Sequence, residues 1–209
     1  YTDTITGYHQ YRIAVRDNET PTHSSSSTAA ALGFGGLTSS YANDFEQGLG
    51  SSFYVVGPRD TTSQIAHGSV HSLTDSPGSD YATLQVLYVY LPPVKLGPNS
   101  VLRFDHIAIV RPTGSVLVDL SRNHRKTFSA LRTYDWNSHP QWQDGTADSL
   151  DWIFEHIDLS AFAGDTAVVR FRIQTGAFPA DGWYIDNFYL GPSNYPMTFH
   201  QQVDTGWNL

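Results

Sequence analysis

With 209 residues and a formal charge of -8, from 12 Lys and Arg against 20 Asp and Glu, the chain is long enough to bury a substantial core. The same charge balance disfavours a phosphate backbone or an anionic membrane as partner. It has no Cys, which excludes disulfides, thiolate metal sites and a cysteine nucleophile but leaves the compartment open.

Twelve Tyr, eleven Phe and five Trp against one Met favour pleated strands, and no run approaches the ~20 apolar residues that cross a bilayer. Tyr1 is an unusual first residue, and the opening YTDTITGYHQ has neither a basic nor an apolar leader region, so the chain reads as a mature or excised piece of a longer protein. Tyr11, Ile13 and Val15 alternate, and the polar RDNETPTHSSSS follows. Residues 1–30 resemble the last two strands of a fibronectin type III domain whose earlier strands are missing. Two strands alone are marginal in water, so they lean on the next domain, on residues cut away, or on another copy of the chain. Residues 24–40, SSSSTAAALGFGGLTSS, are small and Gly/Ser-rich and read as a linker or slack edge, where AAAL could hold a short helical turn but the glycines stop it; the linker proper is set at 31–41.

From Asn43 the run NDFEQG predicts a strand holding Phe45 between Asp44 and Glu46. Thr74 to Gly78, TDSPG, is turn chemistry, because short polar side chains cap their own backbone and Pro fixes φ. Strands are predicted where Val86, Tyr88 and Tyr90 alternate, over Val101–Val110, over Ser115–Ser121, and around VVRFRI, with one helical turn in Leu159–Gly164. Short strands separated by turns at this spacing predict an all-β sandwich or jelly roll, and no 3.6-residue periodicity is sustained. The last strand, DGWYIDNFYL from Asp181 to Leu190, places Trp183, Ile185 and Asn187 on one face and Tyr184, Asp186 and Phe188 on the other if it is regular. An acid among large apolar groups needs a partner, so Asp186 is expected to meet a metal, an Arg or a set of backbone N–H groups.

NDFEQG, SLTDSPGSDY, VLRFDH, SVLVDLS, the Trp152–Gly164 run, VVRFRI and DGWYIDNFYL together resemble, in order, the MAM-type jelly-roll modules of secreted bacterial proteins, including immune-inhibitor-A-type metallopeptidases. The match covers about residues 42–191, and 192–209 reads as the start of a following strand or domain: MTFHQQVDTGWNL resembles a GWNL-type strand of bacterial surface proteins. The resemblance implies a jelly-roll β-sandwich, preceded by a partial fibronectin type III hairpin, that is non-catalytic and extracellular or at the cell surface. Related carbohydrate-binding jelly rolls carry a structural calcium between an early Glu and an Asp of the last strand, which here implies Glu46 and Asp186. Calcium takes six to eight hard oxygens, and Asp44 and Asp75 join Glu46 and Asp186 as candidate ligands, with Asp80 a further one. An Asx turn is the competing role for Asp75.

No catalytic pattern stands out. His67 and His71 lack the Glu of an HExxH helix, Glu155 and His156 face opposite ways on a strand, and Asp144, Asp148 and Asp151 lack the order of a calcium loop. Trp152 and Trp183 are assigned to the core. Trp136 and Trp142, in a polar loop, are the candidate ligand-binding residues, because an aromatic face stacks on sugar rings or anchors a protein partner. The reading is an adhesion or accessory module, not an enzyme, that binds protein or glycan. The alternatives are a filament or surface-layer subunit that self-assembles by strand exchange, and a carbohydrate-binding module of an enzyme.

Overall fold

The computed structural model describes residues 7–16, 24–33, 37–50 and 53–194, the first two segments as backbone. Strands β1 (Gly7–Arg16) and β2 (Ser24–Gly33) pair antiparallel from Gly7 opposite Gly33 to Arg16 opposite Ser24. A strand therefore occupies most of what composition marked as linker, and AAAL is extended. The reason is the partner: a full ladder with β1 satisfies the backbone groups that a Gly/Ser-rich segment would otherwise leave to water. The segment 197–209 lies outside the described residues.

The sandwich elements are β3 (Tyr41–Asn43), β4 (Tyr54–Val56), β5 (Asp60–Thr62), β6 (Ser72–Thr74), β7 (Val86–Tyr90), β8 (Val94–Lys95) and β9 (Ser100–Ile109). They continue with β10 (Ser115–Ser121), β11 (Ser129–Asp135), β12 (Ile153–Asp158), β13 (Thr166–Gln174) and β14 (Gly182–Pro192). Two 3-10 turns, Pro140–Asp144 and Ser160–Phe162, are the only helical elements among the described residues, and the second falls inside the predicted Leu159–Gly164 turn. The first sheet runs β11-β10-β13-β7-β4, with β8 also on β13; the second runs β12-β9-β14-β6-β5, with β3 also on β14. All these pairs are antiparallel, and the two layers form a jelly-roll β-sandwich.

The layers meet through aromatic rings. Phe171 of β13 lies 5.2 Å from Phe104 of β9, 5.2 Å from Trp183 and 5.8 Å from Phe188 of β14, all in edge-on geometry. Trp183 donates its indole N–H to Nδ1 of buried His106 at 3.1 Å, which fixes that imidazole as a neutral acceptor; burial lowers its pKa to about 3. His106 is thus a core residue.

Two local predictions change. Phe45 is not on a strand: it adopts φ 60° in a turn, because Asn43 Oδ1 captures the Phe45 N–H at 2.6 Å and Asp44 Oδ1 captures the Glu46 N–H at 3.2 Å. Its ring still reaches the core, 6.2 Å from Phe53. The second change is in β14, where Asn187 and Phe188 together oppose the single Phe104 of β9, a β-bulge with Asn187 at φ 48°. The extra residue reverses the alternation: Trp183 and Ile185 point inward before it, Phe188 and Leu190 after it. Phe188 thus shares the core face with Trp183 rather than the outer face with Asp186.

Replacing Phe171 by Ala is expected to cost about 3–5 kcal/mol, since it removes the ring on which three others converge. Urea denaturation measures this, and a loss below about 1 kcal/mol contradicts the central role given to that ring.

Candidate functional site

Asp186 points away from the core, opposite Asp105 of β9, yet is fully buried. The cover is the loop between β5 and β6. Asp186 accepts hydrogen bonds from the His67 N–H at 2.8 Å, the Ser69 hydroxyl at 3.0 Å and the Asn187 N–H at 2.7 Å. Of the three partners expected for this acid, the structure supplies backbone N–H groups and a hydroxyl. Burial nevertheless pushes its pKa up to about 6, and neighbouring Asp105 adds to the rise. Asn187, turned by the bulge, donates its amide to the His67 carbonyl at 3.0 Å and to Asp105 at 2.8 Å. His67 Nδ1 lies 3.0 Å from Asp105, which raises the imidazole pKa, and the ring stacks on half-buried Trp152 at 5.4 Å.

Glu46 holds the other end of the same loop, accepting the N–H groups of Val70 at 3.0 Å and His71 at 2.7 Å. Hydrogen bonding to His71 and Val70 lowers its pKa. Glu46 and Asp186 thus converge on residues 67–71. Asp44 and Asp75 do not join them. Asp44 is exposed and caps its own turn. Asp75, fully buried, accepts the Trp183 N–H at 2.6 Å, and a side chain at Gly182 would collide with it. Burial raises the Asp75 pKa against the pull of Arg59, a buried guanidinium that lies 5.9 Å over the Trp183 ring. Asp80 is exposed, on a cavity of about 360 Å³ that Asp75 also lines. Among the described residues no group of three or more His, Asp or Glu side chains is arranged to hold a metal.

Serine, histidine and aspartate occur together at Ser69, His67 and Asp105, but not as a nucleophile and its base. Ser69 Oγ hydrogen-bonds Asp186 and the His71 carbonyl rather than His67, so its proton is committed to holding the loop.

Trp142 is a correction. It is 1% exposed, its indole N–H donates to the Asp151 carbonyl at 2.9 Å, and its ring packs against His139 and His106. Polar neighbours in PQWQD disguised the one residue that its 3-10 turn buries, and no ring face is left for a ligand. Trp136 is half-buried with the Arg111 guanidinium 5.3 Å over its ring.

The aromatic face that remains open lies on the first sheet. Strand register places Asp119, Arg170, Tyr90 and Tyr54 in one row across four strands, with Leu117, Arg172, Tyr88 and Val56 in the next. The intervening Val118, Phe171 and Val89 point into the core, so both rows face outward. Tyr90 lies 5.6 Å from Tyr54, 6.0 Å from Tyr88 and 5.7 Å from Phe128, making a continuous half-buried platform. The Arg170 guanidinium sits 3.9 Å over Phe128 and 4.8 Å over Tyr88. Buried Asp119 anchors both arginines: Arg170 through Nε at 3.0 Å and Nη2 at 2.5 Å, Arg172 through Nε at 2.8 Å and Nη2 at 3.2 Å. The sequence carried a signal for this face. Two of the three outward positions in VLYVY are Tyr and two of the three in VVRFRI are Arg, where a merely solvated sheet face calls for small polar residues or Lys.

No protein-family model and no curated protein matches the chain. Among solved structures, the K1 cleaved adhesin domain of Lys-gingipain from Porphyromonas gingivalis W83 superposes with a TM-score of 0.52 at 14% identity, over 73% of this chain and 98% of that domain. It shares the sandwich fold. The CBM22-1 xylan-binding domain of Xyn10C from Paenibacillus barcinonensis gives 0.45 at 13% identity, over 73% of this chain and 92% of that one. The glycoside hydrolase domain of Endo-D from Streptococcus pneumoniae R6 gives 0.44 at 19% identity over 69% of this chain, which spans only 21% of that structure.

An acid whose pKa is raised on folding stabilises the fold fully below its unfolded value, here 3.8, and loses that contribution as pH climbs through about 6. His67, also raised, acts in the same sense above pH 6.5. In calcium-free buffer the urea midpoint should therefore decline as pH rises from about 4 to about 6, and Asp186→Asn should flatten that segment. An unchanged slope in the variant would assign the dependence elsewhere.

Proposed function

We propose that the chain is a non-catalytic binding module of a larger secreted or cell-surface protein, and that it takes a glycan on the outer face of its first sheet. The observation that carries this reading is the Tyr54–Tyr90–Tyr88–Phe128 platform. Aromatic rings held side by side on a rigid sheet stack on the C–H faces of sugars at little conformational cost, and the Asp119-anchored arginines fix their positions. The fold likeness to a cleaved adhesin domain gives the reading a precedent. His67, Ser69 and Asp105, the residues with catalytic potential, are occupied in holding a loop. Among the described residues no helix is long and apolar enough to cross a membrane. Kinship with MAM-type modules, and a fibronectin type III origin for the β1–β2 hairpin, belong to the same proposal.

Calcium enters the proposal in reduced form. Glu46 and Asp186, both directed at residues 67–71, would hold the ion with oxygens of that loop, and Ser69 Oγ is the nearest hydroxyl. Its chemistry there would be neutralisation of two carboxylates that are otherwise satisfied by N–H donors and one hydroxyl. Asp44 and Asp75 are committed elsewhere and take no part.

On a glycan array the wild-type chain should give a defined set of hits, and Tyr90→Ala and Tyr88→Ala should each weaken them about tenfold or more, the loss of one stacked ring. Hits that persist in both variants would remove the platform from the function. Separately, chelator should lower the melting midpoint, because a ligand at about 100 times its Kd contributes roughly 2.7 kcal/mol. An unmoved midpoint removes calcium.

A further inference from the structure

The cavity of about 360 Å³ is formed where β5, the turn after β6 and the start of β7 meet, and none of the platform rings lines it. Its volume falls in the range of small-molecule sites, about 300–1,000 Å³. A single bridging water needs only about 15 Å³. The side chain that sets its chemistry is Asp75, which lines it and is fully buried. Asp75 Oδ1 accepts the Trp183 N–H at 2.6 Å, while Oδ2 is buried with no hydrogen-bond partner. Ser76, the next residue, gives its hydroxyl proton to the Asp181 carbonyl at 3.3 Å instead. A buried carboxylate oxygen left without a donor is costly.

The charge of Asp75 is already answered. Asp60 pairs with Thr74, and Arg59 and Asp75 are the residues next beyond that pair on the two chains. Buried Arg59 lies 5.9 Å over the ring of Trp183, the residue whose N–H Asp75 holds. Asp75 therefore lacks a donor rather than a cation. The remaining lining fits a neutral donor: Asp60 and Asp80 are exposed acceptors, Gln85 gives or takes a hydrogen bond, and Tyr81 and Leu87 form an apolar wall. None of the lining residues is Lys, Arg or His, so an anion would meet three carboxylates, and an ammonium would approach against Arg59. A hydroxyl donates without charge, and the C–H face of a sugar ring suits the apolar wall. The walls are built to hold their shape. A Cβ at Gly57, φ 104°, would collide with Leu87, one at Gly182, φ 96°, with the Asp75 carboxylate, and the Tyr81 hydroxyl accepts the Arg111 N–H at 3.1 Å.

We propose that this cavity is a second ligand site, which takes the hydroxyl groups of one neutral sugar residue, with Asp75 Oδ2 accepting from a ligand hydroxyl. The inference stands apart from the reading of the aromatic platform, because the two sites share no residue.

The test is an amide NMR titration of the full chain with xylose, galactose and N-acetylglucosamine, and with methylammonium and acetate as charged probes. It is repeated on Ala82→Trp and Ser79→Trp, which place a ring in the cavity from two exposed lining positions. At least one sugar is expected to shift the Asp75, Ser76 and Tyr81 signals saturably at millimolar concentration, and each folded variant should weaken that binding about tenfold or more. Sugar shifts confined to Tyr88 and Tyr90 would overturn the cavity site and leave the platform standing. Shifts at the cavity alone would uphold the site and count against the platform, and no shift at either place overturns both. Methylammonium or acetate binding at the cavity more tightly than every sugar would overturn hydroxyl recognition. Sugar affinity unchanged in both folded variants would remove the cavity as the place of binding.

Discussion

A carboxylate buried on the outside of a sheet has to be roofed, and in this protein that requirement organises the second layer. Asp186 stands at the centre of β14, the strand that carries β9 on one edge and both β6 and β3 on the other. Its three hydrogen-bond donors come from the β5–β6 loop and from the residue next to it. Glu46, in the turn after β3, fastens the far end of that loop. The early and late parts of the sandwich are therefore joined twice, by the pairing of β3 with β14 and by two acids that share a loop. Asn187 completes the arrangement, since its left-handed backbone lets its amide tie the loop to Asp105.

The second sheet buries Asp186 with its cross-strand partner Asp105 on the outer side and the first sheet buries Asp119, and they solve the same electrostatic problem differently. In the second sheet the partners of Asp186 are backbone N–H groups and a hydroxyl, which have to be brought by a covering segment, so that face is closed. In the first sheet Asp119 is compensated by two arginines from the adjacent strand, which need no cover beyond Phe128 and the tyrosines. That face remains open. An exposed ion pair contributes little to stability, but a carboxylate this deeply buried and doubly held fixes the position of everything stacked on its partners. Where the roof is missing, the rings of Tyr54, Tyr88, Tyr90 and Phe128 stay partly open.

Most of the architecture was legible because strand periodicity and turn chemistry are local. Ser115–Ser121 has the predicted bounds, Ser100–Ile109 is displaced by one residue, and the TDSPG turn follows β6 as read. The importance of Asp186 was also legible, because an acid between Ile185 and Phe188 demands compensation whatever the fold. What was not legible depended on partners distant in sequence. Ser24–Gly33 is a strand only because β1 lies beside it. Phe45 leaves the extended state because Asn43 competes for its N–H, and Trp142 is buried by a turn whose own composition is polar. The platform depends on distant partners in the same way: the alternation of Tyr88 and Tyr90 is local, but that they share rows with Arg170, Arg172 and Asp119 is a property of register among β7, β13 and β10.

The bulge at Asn187 and Phe188 carries a consequence for how this chain is compared with any other. A strand has only two phases, and one supernumerary residue exchanges them. Before it, odd numbers face the core; beyond it, even ones do. An alignment that closes this position with a gap, or a graft that trims it, would send Leu190 into solvent and Tyr189 into the interior without altering a single side chain. The count of residues here is as much a part of the message as their identity.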